Sequence, residues 1–302
     1  MKYDFELEKI IKEVKKRKAK KLLLQFPEGL KQEARKIMDA LKKTGAEVCL
    51  SAEHCYGACD IITLPGFLTI HFGHTKMLEN KNVIYIEVKA KVSLKKVVKK
   101  AAPLLGKKPA VVTTAQHLHK LKEAVEELKK AGKKPVIGKG KRTTYAGQVL
   151  GCDVGAVTSL KNYDSILFIG SGEFHPLIIS LVTGKEVVQA NPYSNEVRVI
   201  SGKKLEKEKW MRISKALNSK TFGIIVSLKP GQKDFKTARK LSKEKNTYLI
   251  ILNEVTPEKI DYLPFDAFVV TACPRIVIDD WKNYKKPILL PEEFQELKKL
   301  KT

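Results

Sequence analysis

The stretch KLLLQFPEGLKQEARKIMDALKKTGAEVCLS, residues 21–51, determines the fold class. It begins with a β-rich run from Lys21 to Phe26, continues with a helical pattern from about Gly29 to Lys43, and ends with a second β-rich run from Ala46. The glycine in the joint KTGAE suits the left-handed residue that ends many helices. A strand, a helix and a strand of these lengths predict a right-handed crossover between two parallel strands.

The same order of patterns occurs twice more along the chain. The second copy has strand-like runs that begin at Ala110 and Lys134, on either side of a helical pattern from about Gln116 to Lys130. The third copy, residues 222–252, runs from FGIIVS to TYLIIL through a helical pattern from about Gln232 to Lys245. The chain therefore contains three strand-helix-strand units.

Each unit is accompanied by a further apolar run, which is expected to add a strand. These runs begin at Phe67, Ser165 and Ala267. We predict an α/β fold of three similar domains, each a parallel sheet flanked by helices. The predicted domains are residues 1–100, 101–205 and 206–302.

The composition is that of a globular chain with an excess of positive charge. Of 302 residues, 58 are Lys or Arg and 33 are Asp or Glu, which leaves a net charge of +25. No apolar run approaches the roughly 18 residues that a membrane span needs. The N-terminal stretch MKYDFELEKIIKEVKKRKAK lacks the apolar centre of a signal peptide and predicts an amphipathic helix. We therefore expect a cytoplasmic protein without a membrane partner.

The positive charge has two interpretations. Phosphates attract Lys and Arg, so the excess can indicate a nucleic-acid partner. The basic residues are mostly Lys, however, spread as pairs such as Lys95-Lys96 and Lys129-Lys130, without a dense basic block or an aromatic RNA-binding motif. A solvated Lys-rich surface accounts for this pattern better, and we do not expect nucleic acid as the partner.

Cysteine is more informative than charge. The five cysteines, an odd number that cannot all pair within the chain, are Cys49, Cys55, Cys59, Cys152 and Cys273. In a cytosolic protein cysteines are more often buried, catalytic or metal-bound than disulfide-bonded. The sequence contains no CxxC pair, so local spacing alone favours scattered core cysteines.

One cysteine lies downstream of each strand-helix-strand unit, within a stretch of small residues. These stretches are YGACD around Cys59, LGCDV around Cys152 and TACPR around Cys273. Open α/β sheets bind ligands at the carboxyl ends of their strands. A pseudo-threefold arrangement of the three domains would therefore bring the three thiols together.

Three converging thiolates fit two kinds of metal centre. On a 4Fe-4S cluster they would leave one iron open to substrate, and with zinc they would leave room for water. Structural zinc is usually bound by paired ligands on tight loops, which these three cysteines lack. Cys49 is predicted to be a small core residue, because it lies in an apolar run. Cys55, four residues before Cys59, stays open as a further ligand.

Eight motifs, spread in order from Lys21 to Phe294, resemble those of the archaeal diphthamide biosynthesis proteins of the Dph1/Dph2 family. Each motif is short, but their common order makes the resemblance specific. They are QFPEGL (Gln25 to Leu30), HCYGACD (His54 to Asp60), HFGH (His71 to His74), GCD (Gly151 to Asp153), FIGSGEFHP (Phe168 to Pro176), NPY (Asn191 to Tyr193), ACPRIVIDD (Ala272 to Asp280) and KPILLPEEF (Lys286 to Phe294).

The resemblance implies a homodimeric three-domain transferase, with Cys59, Cys152 and Cys273 as the ligands of a 4Fe-4S cluster. S-adenosylmethionine would lie beside the open iron. With an electron from a donor, such enzymes cleave the bond between the sulfur and the γ-carbon of the methionine part. They release methylthioadenosine and a 3-amino-3-carboxypropyl radical, which adds to C2 of a histidine in translation elongation factor 2. The product is the first intermediate of diphthamide.

Two stretches are candidates to contact the cofactor through their backbone. Glu28 and Gly29 lie where a strand turns into a helix, a position that can bind a carboxylate, although Glu28 is also an ordinary first-turn acid. Gly170 and Gly172 follow a strand and permit close backbone approach, although a short glycine pair is also common in turns. The resemblance favours the cofactor interpretation for the glycine pair.

Three side chains complete the candidate site. His74 and His175 follow strands and could contact substrate or cofactor, or serve as structural histidines. Arg275 could bind the methionine carboxylate, or instead pair with the acidic residues Asp279 and Asp280.

Two alternative functions stay open. The same transfer could act on RNA, an alternative motivated by the net charge of +25. The chain could also be a non-catalytic iron-sulfur subunit that supports a paralogous partner, as in the eukaryotic heterodimer of this family. The presence of all three motif cysteines favours the homodimeric enzyme.

Overall fold

The structure, a computed structural model, describes residues 3–301 and contains three four-stranded sheets and a small two-stranded one. The chain divides into two compact units, Met1–Ile200 and Ser201–Thr302. The first unit holds two of the four-stranded sheets and the second unit holds one. Among residues 3–301 no helix is both long and apolar enough to cross a membrane. The α/β class with parallel sheets is confirmed.

The first sheet of the first unit is entirely parallel, with the strand order β3-β2-β4-β5. Its strands are β2 (Lys21–Gln25), β3 (Glu47–Leu50), β4 (Leu68–Phe72) and β5 (Val83–Ile86). The helices α1 (Leu7–Lys16) and α2 (Ala34–Lys42) precede β2 and β3, and β1 (Tyr3–Asp4) pairs with β6 (Lys89–Ala90). Phe26 and Phe72 stack in the core with their ring centroids 4.2 Å apart.

The predicted helix after β2 starts differently from expectation. Glu28–Glu33 forms a 3-10 helix, and the α-helix begins only at Ala34. The tighter winding begins where the Leu30 amide donates to the Pro27 carbonyl oxygen at 2.9 Å, a bond that spans three residues. Gly45 has φ +82, as expected for the residue that ends this helical segment.

The second sheet has the order β10-β9-β8-β7 and ends in an antiparallel hairpin. Its strands are β7 (Pro109–Thr113), β8 (Ser165–Ile169), β9 (Val187–Asn191) and β10 (Glu196–Ile200). Its helices are α3 (Lys95–Ala101), α4 (Leu121–Lys130), α5 (Gly155–Thr158) and α6 (Phe174–Thr183). A 3-10 helix, Ala115–Lys120, occupies the start of the predicted helix before α4.

The predicted strand at Lys134 is wrong. Val136 makes one isolated parallel bridge with Ala110, and the chain then leaves the sheet. Pro135 has no amide to donate to a ladder. At Gly138 the backbone packs so closely on the next segment that a Cβ would lie 2.5 Å from the Ala156 carbonyl oxygen. Both features stop the run after a single bridge.

The sheet of the second unit is entirely parallel, with the order β12-β11-β13-β14. Its strands are β11 (Phe222–Ser227), β12 (Thr247–Leu252), β13 (Ala267–Val270) and β14 (Ile288–Leu289). The helices are α7 (Lys203–Lys215), α8 (Phe235–Leu241), α9 (Pro257–Ile260), α10 (Pro274–Asp280) and α11 (Pro291–Lys301). The helix between β11 and β12, α8, is thus shorter than the predicted stretch from about Gln232 to Lys245.

Each of the three predicted domain ranges contains one four-stranded sheet. The helix α3 crosses the predicted boundary at residue 100, and its buried Val97, Val98 and Ala101 belong to the core around the second sheet. The division into three domains and their pseudo-threefold arrangement stay predictions.

Candidate functional site

The loop between β3 and β4, residues 51–67, carries Cys55 and Cys59 and contains no helix or strand. Gln25, the last residue of β2, holds this loop against the sheet. Its Nε2 donates to the Asp60 carbonyl oxygen at 2.7 Å, and its Oε1 accepts from the Ile62 amide at 3.2 Å. Cys55 is buried, whereas Cys59 is partly exposed.

Cys59 lies near Cys152 within the first unit. A charge on the Cys59 thiolate is one of the influences that raise the pKa of Cys152, after burial, which is the largest cause, while Arg142 acts in the opposite direction. These two cysteines are 93 positions apart in the sequence (152 − 59), and the fold brings them into electrostatic contact. None of the five cysteines forms a disulfide.

Small residues surround both thiols. A Cβ on Gly57 would lie 3.3 Å from the Cys59 sulfur, and a Cβ on Gly151 would lie 2.4 Å from the ring of Phe174. The glycine before Cys152 therefore lets its turn pack directly on the start of α6. Asp153 secures the other side of this turn, because its carboxylate accepts from the Gly155 amide at 2.7 Å.

The predicted glycine pair lies at the carboxyl end of β8, beside the Cys152 turn. Gln189 Nε2 donates to the carbonyl oxygens of Gly170 at 3.2 Å and Gly172 at 2.7 Å, so both carbonyl groups have fixed directions. Gly172 has φ +77, a conformation that favours glycine. His175 stacks on Phe168 with 5.7 Å between the ring centroids. The fold thus brings the GCD and GSGEFH motifs to one edge of the second sheet.

Glu28 has two basic partners on the cysteine side of the first sheet. Its Oε1 accepts from Lys31 Nζ at 2.7 Å and lies 3.1 Å from His54 Nδ1. The hydrogen bond from Lys31 is the largest cause that lowers the pKa of Glu28. Lys31 also donates to the carbonyl oxygens of Ala52 and Glu53, at 3.0 and 3.1 Å. Gly29 lies in the 3-10 helix, where a Cβ would meet nothing within 4 Å.

Cys273 belongs to the second unit, directly after the segment that follows β13 and before α10. It is the capping position of α10, with Pro274 as the first helical residue. Arg275 pairs with Asp279 across one turn of this helix, with Nε to Oδ2 at 2.7 Å. This ion pair favours the alternative in which Arg275 pairs with an acidic residue of its own helix.

A group that the sequence reasoning did not assemble lies next to Cys59. The ligand atoms of Cys55, His71 and His74 all lie within 4.8 Å of one another. Burial raises the pKa of Cys55 to about 12 and lowers the pKa of His74 to about 4. Burial also lowers the pKa of His71 well below its ordinary value. The spacing HFGH, two histidines three apart around a glycine, was the available signal.

The donors around Cys59 and Cys152 suit an iron-sulfur cluster. Both side chains are reduced thiols outside the helices and strands, and the absence of a side chain at Gly57 leaves room beside the Cys59 sulfur. Cys273 is likewise a reduced thiol, at the start of α10. The donor set is therefore the one that such clusters use.

Comparisons with known proteins agree with this chemistry. The family model of the diphthamide synthesis proteins matches residues 26–301. The 2-(3-amino-3-carboxypropyl)histidine synthase of Pyrococcus horikoshii is 38% identical over 313 residues, which cover 98% of this chain and 91% of that protein. The enzyme of the same name from Methanocaldococcus jannaschii is 32% identical over 328 residues, which cover 97% and 89%. Both relatives are enzymes, named as synthases of a modified histidine.

Solved structures show the same similarity. The crystal structure of Dph2 from Pyrococcus horikoshii superposes with a TM-score of 0.92 at 37% identity, covering 99% of this chain and 92% of that one. A second crystal structure of that protein contains a 4Fe-4S cluster and matches with the same TM-score and coverage.

Proposed function

Because the chain belongs to the diphthamide synthesis family, we propose that it is a 2-(3-amino-3-carboxypropyl)histidine synthase acting on translation elongation factor 2. The proposal is carried by the proximity of Cys59 to Cys152, whose pKa its charge helps to raise, in a fold whose relative binds a 4Fe-4S cluster. The acceptor would be one histidine of the factor, and the product the first intermediate of diphthamide.

The proposed cluster ligands are Cys59, Cys152 and Cys273. Each is a reduced thiol outside the helices and strands, and Cys59 follows β3 whereas Cys273 follows β13. Three thiolate ligands would leave one iron accessible to S-adenosylmethionine. When bound, the cluster would supply the electron that cleaves the bond from sulfur to the γ-carbon, releasing methylthioadenosine and a 3-amino-3-carboxypropyl radical.

The protein's part in this reaction is to position the substrate and exclude water. Misplacing a substrate by about 1 Å can cost on the order of a hundredfold in rate, so rigid contacts matter. The carbonyl groups of Gly170 and Gly172 are fixed by Gln189, and His175 is held by ring stacking. These features support their assignment as contacts of S-adenosylmethionine.

Glu28 and Arg275 are also assigned to S-adenosylmethionine, and both side chains already have charged partners. The carboxylate of Glu28 is neutralised by Lys31 and also contacts His54, so a carboxylate of the cofactor would compete with Glu28 for these partners. Arg275 would have to share its Asp279 partner to bind a carboxylate. Both residues therefore exchange or share an existing contact when the cofactor binds.

The proposed partners are elongation factor 2, an electron donor and a second copy of the chain. The net charge of +25 supports steering toward an acidic protein surface. The homodimer has its own support in the second unit, because the edge strand β12 exposes Tyr248, Leu249 and Ile251.

The deciding experiment is an oxygen-free reaction of the purified chain with dithionite, S-adenosylmethionine and elongation factor 2. With S-adenosylmethionine labelled in its 3-amino-3-carboxypropyl group, we expect methylthioadenosine as a product and label on elongation factor 2. The formation of 5′-deoxyadenosine as the main product would contradict the proposed bond cleavage. Label entering transfer RNA instead would favour RNA as the acceptor. Activity of the single purified chain would exclude a purely supporting subunit.

The same reaction tests the ligand set. We expect Cys59→Ala, Cys152→Ala and Cys273→Ala each to lose the visible absorption of the cluster and the formation of methylthioadenosine. Cys49→Ala is the matched control, because its thiol lies in β3, and it should keep both. A variant of the three that keeps an intact cluster would remove that cysteine from the ligand set.

A further inference from the structure

From the geometry beside the proposed cluster, we propose that Cys55, His71 and His74 form a separate Zn²⁺ site that fastens the Cys59 loop to the end of β4. The zinc site does not depend on the proposed enzymatic activity. Only the importance of fastening Cys59 rests on the proposed function.

The three donor atoms already lie close to zinc geometry. His71 Nε2 and His74 Nδ1 are 2.9 Å apart, and all three ligand atoms lie within 4.8 Å of one another. In tetrahedral zinc sites the bond lengths place two nitrogens about 3.3 Å apart, and a nitrogen and a sulfur about 3.6 Å apart. Small shifts of the side chains would therefore suffice to admit the ion.

A hydrogen bond to Gln25 fixes His71 in the tautomer that binds a metal through Nε2. Gln25 Oε1 accepts from the Ile62 amide, and its Nε2 donates to Asp60, so the orientation of its amide is determined. The same Oε1 lies 3.0 Å from His71 Nδ1 and must accept the proton of that nitrogen. The lone pair of His71 Nε2 therefore faces His74, which is the usual arrangement behind a metal-bound histidine.

The thiol has a comparable support. The Gly57 amide donates to the Cys55 sulfur, a contact that stabilises a thiolate. Cys55 is only 4% exposed and His71 is fully buried, so water does not compete with zinc for these two ligand atoms. A bound cation deprotonates a coordinating thiol outright.

A turn at Gly73 brings the side chains of His71 and His74 next to each other. This residue follows β4 and has φ +81, which turns the chain so that His74 returns to the level of His71. A Cβ at this position would lie 2.8 Å from Pro27 Cγ, so the turn is packed against the segment after β2. The spacing in HFGH is thus explained by the geometry of the site.

The donor chemistry selects zinc among the common divalent ions. One thiolate and two imidazoles are borderline-soft ligands that suit Zn²⁺ and do not suit Mg²⁺ or Ca²⁺. Three protein ligands leave a fourth position for water. Cys59 is not a member of the group, so this site and the cluster use different thiols.

Zinc at this site would restrain the loop that carries Cys59. Residues 51–67 contain no helix or strand, and Cys55 precedes Cys59 by four positions. A bond from Cys55 to zinc on His71 and His74 would anchor this loop to β4, in addition to the hydrogen bonds from Gln25. The amides of residues 51–62 should then exchange with solvent more slowly in the zinc-bound protein.

The test measures zinc and iron separately in the full chain, purified without oxygen. We expect zinc to bind in addition to iron, and Co²⁺ in its place to show a thiolate charge-transfer band. Cys55→Ser and His74→Asn should lose zinc and keep iron. Cys59→Ser should lose iron and keep zinc, and Cys49→Ser should keep both metals.

The outcomes separate this proposal from the proposed function. A wild-type protein that binds no zinc, or whose Co²⁺ form lacks the charge-transfer band, would overturn the site even if the variants failed to fold. Unchanged zinc content in both Cys55→Ser and His74→Asn would do the same.

Zinc removal should speed hydrogen exchange of the amides of residues 51–62 by on the order of tenfold, and the amides of β11 should be unchanged as the internal control. Equal exchange with and without zinc would overturn the fastening role. Zinc binding without methylthioadenosine would leave the site intact and remove only the enzymatic proposal.

Discussion

At the scale of single residues, the least expected feature is His117, which is only 3% exposed in the first unit. Its Nε2 has no hydrogen-bond partner among the described residues. Its ring meets Tyr193 edge-on, with 5.5 Å between the centroids. Burial is the main cause that lowers the pKa of His117 to about 4, followed by the charges of His119 and Lys120.

This pKa predicts a specific loss of stability in acid. The unfolded chain binds the proton near the ordinary histidine pKa of about 6.5, whereas the folded chain resists it down to about 4. The contribution of neutral His117 to the free energy of unfolding is therefore complete above about pH 6.5, and it falls by about 3 kcal/mol as the pH drops to 4. His117→Gln should remove this share of the pH dependence.

Unfolding by urea, followed by far-ultraviolet circular dichroism at several pH values, measures the effect. The difference in the free energy of unfolding between wild type and His117→Gln should change steadily from pH 6.5 to 4, with the variant becoming relatively more stable. Parallel profiles would show that the fold does not lower the pKa of His117.

At the scale of elements, the helices α7 and α11 of the second unit are joined by a buried ion pair. Arg212 Nη2 and Glu293 Oε1 are 2.5 Å apart, and both side chains are 3% exposed. Glu293 Oε2 also accepts from the Leu290 amide at 3.1 Å, at the start of α11. Removing one partner would leave a buried charge, which is far more costly than losing an exposed pair.

Arg212→Met should destabilise the second unit by about 3 to 5 kcal/mol. The double change Arg212→Met with Glu293→Met should recover much of this loss, because no buried charge is left. Lys298→Met is the matched control within the second unit, since Lys298 and Glu244 are 39% and 37% exposed and exposed pairs contribute about 0 to 1 kcal/mol.

Trp fluorescence reports this prediction directly, because the two tryptophans, Trp210 and Trp281, both lie in the second unit. The midpoint of urea unfolding should fall strongly for Arg212→Met and little for Lys298→Met. Equal shifts for the two variants would argue against a buried charge as the cause.

The elements also show which sequence signals were sufficient. Alternating and continuous apolar runs predicted β2, β4, β8, β11 and β13, because buried parallel strands are strongly apolar. The run at Lys134 failed because Pro135 and the close contact at Gly138 stop a ladder, and local hydrophobicity does not report backbone contacts. The family motifs identified the diphthamide synthesis family correctly.

The grouping of Cys55 with His71 and His74 could not be predicted from spacing alone. Cys55 and His71 are on different segments, and their meeting depends on the parallel pairing of β2 with β4 and on the turn at Gly73. The buried partner Gln25 lies one residue before Phe26 in a run predicted only as a strand. Such contacts arise from tertiary structure, not from periodicity.

At the scale of the whole molecule, the exposed edge of the second unit bears on assembly. Among residues 3–301, the strand β12 pairs only with β11 and has no neighbour on its other edge, and Leu249 and Ile251 are 42% and 54% exposed. An open, apolar strand edge readily pairs with another chain. It is the surface that we expect the homodimer to bury.

Ile251→Lys should shift the assembly from dimer toward monomer by at least about tenfold in dissociation constant, because a buried Lys lacks its hydration. Light scattering at a series of concentrations measures this change. Leu300→Lys is the control, because Leu300 is an exposed apolar residue on α11, away from β12. A dimer unaffected by Ile251→Lys would place the interface elsewhere.

The role of Gln25 also implies an order of events in the maturation of the protein. This residue closes β2, and its one amide group holds both the Cys59 loop and His71. The cysteines offer no CxxC pair that an unfolded chain could use to capture a metal. The first sheet must therefore assemble before either proposed metal site can form, so that we expect metals to load onto a chain that is already folded.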